Sequence, residues 1–201
     1  MNMKIAVDID EVLADFANPF DDFIQKKYGL KMDRHKWNSE LWWQAWGGTK
    51  TTAVAKIFEF VKSRDFDELP VVPGAVEGVK RLKDMGHELV VITGRAADWM
   101  GRTKRWLDHN FNGCFTRVES TDFHMINSGH KTKGQLAKEF GCDILIDDFP
   151  HYAEEAIKNG VKVLLFDTGF NHNYPEHDDI HRVKDWKEVV KIISNICKTI
   201  N

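Results

Sequence analysis

Three apolar runs in this chain end abruptly in acidic or hydroxyl residues, and that recurrence constrains the fold more than any other feature. The first is Lys4 to Ile9, interrupted by Asp8 and Asp10. The second, Glu88 to Ile92, runs into Thr93-Gly94-Arg95, and the third, Asp143 to Ile146, runs into Asp147-Asp148. Short continuous apolar runs separated by helical periodicity read as strands buried on both faces, the pattern of parallel sheets. Phe115 to Glu119 and Val161 to Phe166 add two more. The expectation is an α/β protein with a doubly wound, Rossmann-like parallel sheet of about five strands.

The helical segments between these runs are recognisable by spacing and by their ends. Val12, Leu13, Phe16, Phe20, Phe23, Ile24 and Tyr28 recur at three- and four-residue intervals, and Gly29 is a natural stop. Thr132 with Gln135, and Asp185 with Glu188, have capping-box spacing. Residues 18–69 break the alternation, because they carry helical patterns and no convincing strand. They read as a helical cap inserted into a core formed by residues 1–17 and 70–201. Trp37, Trp42, Trp43 and Trp46 crowd into this insert, four of the chain's seven tryptophans. A length of 201 residues with 42% hydrophobic content suits one core with such an insert.

Composition excludes several partners. A formal charge of −3 with no basic stripe argues against binding long nucleic acid. No apolar run approaches membrane-spanning length, and no basic and apolar leader pattern opens the chain, so no membrane is expected. Cys114, Cys142 and Cys197 are odd in number and lie far apart, which argues against a disulfide framework or a zinc knuckle and points to a reducing cytoplasm. A homodimer is compatible with these properties.

Open parallel sheets bind ligands at the carboxyl ends of their strands. A single Asp or Thr there is ordinarily a turn former or helix cap. Acidic groups converging from separate strands are another matter, because they repel unless a cation holds them, and hard oxygen ligands suit Mg²⁺.

Val7-Asp8-Ile9-Asp10-Glu11-Val12, Ile92-Thr93-Gly94, a lysine near Lys133, and Ile146-Asp147-Asp148 resemble, in order, the motifs of the haloacid-dehalogenase superfamily. The resemblance implies that Asp8 attacks phosphorus to form an aspartyl-phosphate, and that Asp10 protonates the leaving oxygen and then deprotonates water. It implies Mg²⁺ held by Asp8, the Asp10 backbone carbonyl and Asp148, with Asp147 as a further ligand or a supporting partner. Thr93 and the Gly94 amide would bind the transferring phosphoryl group. Lys133 would neutralise it, with Lys131 as the alternative, and the Thr132–Gln135 box favours Lys133 by making it the first helical residue.

A narrower resemblance is to the 5′(3′)-deoxyribonucleotidase and 5′-nucleotidase group. It is carried by Asp10-Glu11-Val12-Leu13-Ala14-Asp15-Phe16 and by Phe66-Asp67-Glu68-Leu69-Pro70-Val71-Val72-Pro73-Gly74-Ala75-Val76. The group's cap is a small helical bundle whose aromatics stack on the nucleobase. Phe16 matches one such aromatic, and Trp43 is the expected platform, with Trp37, Trp42 and Trp46 as alternatives or as filling for the cap's own core. Glu11 departs from the glycine usual in that group, as does Thr93-Gly94-Arg95 from its usual pattern. Arg95 would contact substrate phosphate or pair with Asp98. His35, His124, His130 and His151 have no part in such a mechanism. The resemblance implies a phosphomonoesterase acting on a small phosphorylated metabolite, a nucleoside 5′-monophosphate first. The alternatives are the same chemistry on another phosphometabolite such as a sugar phosphate, or a non-catalytic phospholigand-binding protein, which would be expected to have lost Asp8 or Asp10.

Overall fold

The structure is a computed structural model describing residues 2–33, 35–38, 41–122, 131–175 and 177–199. Six parallel strands form one sheet in the order β3-β2-β1-β4-β5-β6. They are β1 (Lys4–Val7), β2 (Glu88–Thr93), β3 (Arg117–Ser120), β4 (Ile144–Asp147), β5 (Lys162–Phe166) and β6 (Ile180–Val183). The five expected strands are present, and β6 is an additional edge strand.

Alternate residues of each strand feed different layers, as a period of two requires. Ile5, Val7, Leu89, Val91, Ile144 and Ile146 join the larger core with helices α3 (Ala75–Asp84), α4 (Met100–Phe111) and α7 (Trp186–Thr199). Ala6, Val90, Ile92, Leu145 and Val163 join the second core with α5 (Lys133–Glu139) and α6 (Pro150–Lys158). The helices change faces between the β1–β2 and β4–β5 connections, so the gap between β1 and β4 is the sheet's switch point, where a crevice opens beyond the strand ends.

The first helix begins later than its spacing suggests. Val12 and Leu13 lie in a tight turn in which the amides of Val12, Leu13 and Ala14 donate to the Ile9 carbonyl. Helix α1 then runs Ala17–Tyr28 and stops at Gly29, whose φ of +67° is the left-handed stop that glycine adopts without Cβ strain. A 3-10 turn at Trp42–Trp46 and α2 (Lys50–Val61) follow, with no strand among the described residues between β1 and β2. The chain leaving for these helices and the chain returning are stitched together: Asp15 N donates to Pro70 O at 2.8 Å and Val72 N to Leu13 O at 2.9 Å. Around these helices Phe60 is the hub, with Phe16, Phe20 and Phe23 ring centroids 5.3, 5.5 and 5.4 Å away.

The last helix reaches the first loop. Trp186, fully buried, donates from Nε1 to the Val12 carbonyl at 2.9 Å. Its ring is admitted by Gly78 on α3, where a Cβ would come within 2.5 Å of Trp186 Cε3.

Candidate active site

At the switch point Asp8 directly follows β1, its amide donating to the Ile146 carbonyl of β4 at 2.9 Å. Lys133, the first residue of α5, is fully buried, and its Nζ lies 2.8 Å from Asp8 Oδ2 and 2.8 Å from Asp147 Oδ2, with the Tyr152 ring centroid 4.2 Å away. The Thr132–Gln135 capping box is formed and sets this helix start. Gly134 lets α5 press against α6, since a Cβ there would lie 2.5 Å from the Glu155 carbonyl oxygen. Lys131 instead pairs with Glu139 at the surface. Of the two lysines, Lys133 is the one brought to the carboxylates.

Asp8, Asp147 and Asp148 each offer an oxygen within 4.8 Å of one another. Asp147 is used up structurally: Oδ1 accepts from the Phe149 amide at 2.9 Å, Oδ2 takes Lys133, and the residue does not line the cavity. Asp8 Oδ1 is buried with no hydrogen-bond partner. A buried oxygen left unpaired beside other carboxylates costs free energy that a hard cation would offset, so the donor set fits Mg²⁺. Burial, aided by Asp147 and Asp10, pushes the Asp8 carboxyl up to about 7 despite Lys133, and Asp148 is raised by burial and by Asp147, Asp8 and Glu11. Burial also works against the Lys133 charge, but Asp147 and Asp8 together hold its pKa above the ordinary lysine range.

Glu11 adopts a φ of +61°, unusual for a side-chain-bearing residue. Its Oε1 accepts from the amides of Phe16 at 3.0 Å and Ala17 at 2.7 Å, capping α1 from five residues upstream. Burial raises its carboxyl to about 7. The two hydrogen bonds account for the strained backbone, and no local capping motif announces them.

A cavity of about 200 Å³ opens above the carboxylates. Asp8, Asp10, Lys133 and Asp148 form its polar end, and Phe16, Trp37, Trp42, Trp46 and Phe170 are among its aromatic walls. Trp37 stacks on Phe170 at 5.7 Å with 20° between planes, joining the insert to the loop after β5. In that loop the buried Asn171 donates from Nδ2 to the carbonyls of Asp148 and Phe166, both at 2.7 Å.

Three residues expected at the site sit differently from their sequence-based reading. Trp43 lies outside the cavity: a 3-10 turn rotates about 120° per residue, so neighbours diverge, and Trp43 meets Lys50 Nζ at 5.7 Å and the edge of Trp42. Thr93 is fully buried outside the cavity wall, its Oγ1 accepting from the Arg95 amide at 3.2 Å, while Gly94 does line the cavity. Arg95 lines the wall but pairs neither with Asp98 nor outward; its Nη2 lies 2.6 Å from Asp10 Oδ1. His35 and His151 are exposed, and His124 and His130 lie outside the described residues.

A doubly wound sheet with an Asp-x-Asp loop after its central strand and an aspartate pair after the neighbouring one is the arrangement of haloacid-dehalogenase hydrolases, enzymes acting on phosphoric monoesters. Residues 2–199 match the family described as "5' nucleotidase, deoxy (Pyrimidine), cytosolic type C protein", and the chain belongs to it. A protein of Oceanobacillus iheyensis named among the nucleotidases is 29% identical over 126 residues, 63% of this chain and 63% of that protein's length. A Bacillus cereus protein so named is 26% identical over 195 residues, 95% of this chain and 98% of the relative. The fold is shared with a haloacid-dehalogenase-type hydrolase of Bacillus subtilis solved with magnesium bound (TM-score 0.66, 13% identity, covering 96% of this chain and 98% of that one). Among the described residues no helix is long and apolar enough to cross a membrane.

Proposed function

We propose that this chain is a magnesium-dependent phosphomonoesterase that hydrolyses nucleoside 5′-monophosphates through an aspartyl-phosphate on Asp8. The observation that carries the reading is the asymmetric environment of Asp8 at the floor of an aromatic cavity, with one oxygen held by Lys133 and the other buried and unpartnered. Asp8, Asp148 and the Asp10 carbonyl would hold Mg²⁺. When bound, the ion supplies the positive charge that lets a carboxylate and a phosphate dianion approach.

Asp8 attacks phosphorus, the ester P–O bond breaks, and the departing oxygen takes a proton from Asp10. Asp10 then accepts a proton from water, whose oxygen attacks phosphorus and breaks the bond to Asp8, releasing inorganic phosphate. Lys133 orients Asp8 and offsets the charge gathered there, with the Gly94 amide beside the phosphoryl group. Residues 18–69 act as a cap, and Phe16, Trp37 and Trp42 supply stacking faces for a base, each base–aromatic contact contributing about 1–3 kcal/mol. The three cysteines are free thiols, in keeping with a cytoplasmic setting.

The test is phosphate release by purified protein across nucleoside monophosphates and sugar phosphates, with Mg²⁺ and with chelator. Magnesium-dependent turnover of nucleotides supports the reading. Turnover of sugar phosphates alone would keep the chemistry and remove the stacking role of the aromatic walls.

A further inference from the structure

We infer that Arg95 is a positioning residue for Asp10, fixing which oxygen of that carboxylate handles the proton. The inference rests on the proton-transfer role proposed above for Asp10.

The two partners are unequally held. The Arg95 side chain is 1% exposed, against 32% for Asp10. Its amide donates to Thr93 Oγ1, its carbonyl accepts from the Ser120 hydroxyl, and its Nη1 donates to Thr103 Oγ1 at 3.2 Å. The guanidinium lies 4.7 Å from the centroid of Phe66, a buried ring at the return of the inserted helices. A guanidinium fixed on this many sides imposes its fork on the carboxylate it meets.

That fork is aimed mainly at one oxygen. Asp10 Oδ1 receives Nη2 at 2.6 Å and Nε at 3.2 Å, whereas Oδ2 receives only Nε, at 3.2 Å. Oδ1 is thereby pinned, and Oδ2 is the oxygen left to give and take the proton. The edge of Arg95 that would grip a phosphate in bidentate fashion is occupied by Asp10. Arg95 thus serves the reaction through Asp10, and Phe66 ties that service to the seating of the insert.

The experiment separates this role from phosphate binding through the leaving group. A nucleoside alkoxide needs a proton to depart, whereas p-nitrophenolate leaves without one. Hydrolysis of the phosphoryl-enzyme needs Asp10 for both substrates. Arg95→Met is expected to lose about 100-fold in kcat/KM on a nucleoside monophosphate and under about 10-fold on p-nitrophenyl phosphate. On the aryl substrate it should also release a burst of nitrophenol stoichiometric with enzyme, because the second step stalls. Arg95→Lys should recover part of the loss. Thr103→Val, nearly isosteric, should show the same split more weakly and carries the test if Arg95→Met does not fold. Equal losses on both substrates, or a raised KM with kcat intact, would overturn the inference. A wild-type protein inactive on both substrates, or an active Asp8→Asn variant, would overturn the proposed function instead.

Discussion

Lys133 Nζ lies 2.8 Å from Asp8 Oδ2, while the second oxygen of the same carboxylate is buried and unpartnered. The carboxylate is thus oriented by the lysine and left short of one positive contact. Asp8→Asn keeps the volume and removes the charge. Turnover should fall at least about 1000-fold. In chelator at pH 8 the variant should melt above the wild type, by a margin that shrinks toward pH 5, and calorimetry at the two pH values reads this directly. Wild-type-like turnover would remove Asp8 from the mechanism.

The same groups set the pH dependence of the metal-free protein. Asp8 and Glu11 stand at about 7, against ordinary values of 3.8 and 4.5, and Asp148 is raised as well. The native state therefore keeps protons that the unfolded chain has released, and stability must fall as pH rises from about 4 to about 7. Depressed carboxylates such as Asp67, hydrogen-bonded by Arg102, act below that window and in the opposite sense. The urea midpoint in chelator should drop between pH 5 and pH 8. Added Mg²⁺ should restore it at pH 8 and do little at pH 5, where protons compete for the same oxygens. A midpoint flat with pH and blind to Mg²⁺ would contradict the site as described.

The two candidate lysines should separate cleanly. Lys133→Met strands Asp8 and Asp147, and breaking a buried pair in this way costs about 3–5 kcal/mol. Activity should be lost as well. Lys131→Ala breaks only an exposed pair and should change turnover less than about twofold. Denaturant titration with steady-state rates on both variants decides it, and equal modest losses would reject the assignment.

Gly134→Ala tests the helix contact that seats Lys133. The added methyl would lie 2.5 Å from the Glu155 carbonyl oxygen, on backbone that cannot swing aside. A destabilisation of about 1–3 kcal/mol is expected, with a loss of kcat larger than thermal melting alone accounts for. Unchanged kcat would mean that α5 can shift without moving the lysine.

The tryptophans can be sorted by KM. Trp42→Ala should raise KM for a nucleoside monophosphate about 10-fold by removing a cavity wall, whereas Trp43→Ala should leave it nearly unchanged. The reverse result would place the base outside this cavity.

The sequence exposed what depends on neighbours in the chain. The strands announced themselves by apolar runs, and the carboxylates by lying directly after them. Lys133 was distinguishable from Lys131 because a capping box is local. β6 escaped notice because Ile-His-Arg-Val sets a histidine and an arginine side by side in a four-residue edge strand and so shows no continuous apolar run. The Val12–Leu13 turn passed for helix because a tightly wound loop buries residues at helical intervals. The Arg95–Asp10 pair, 85 residues apart, and the choice among clustered tryptophans depend on tertiary packing that no local pattern encodes.

The hydrogen bond from Trp186 to the Val12 carbonyl sets a schedule for synthesis. The loop carrying Asp10 is made well before the indole that anchors it, which belongs to α7, 174 residues after Val12. The nascent chain therefore carries this loop without its indole anchor until α7 has been made and docks.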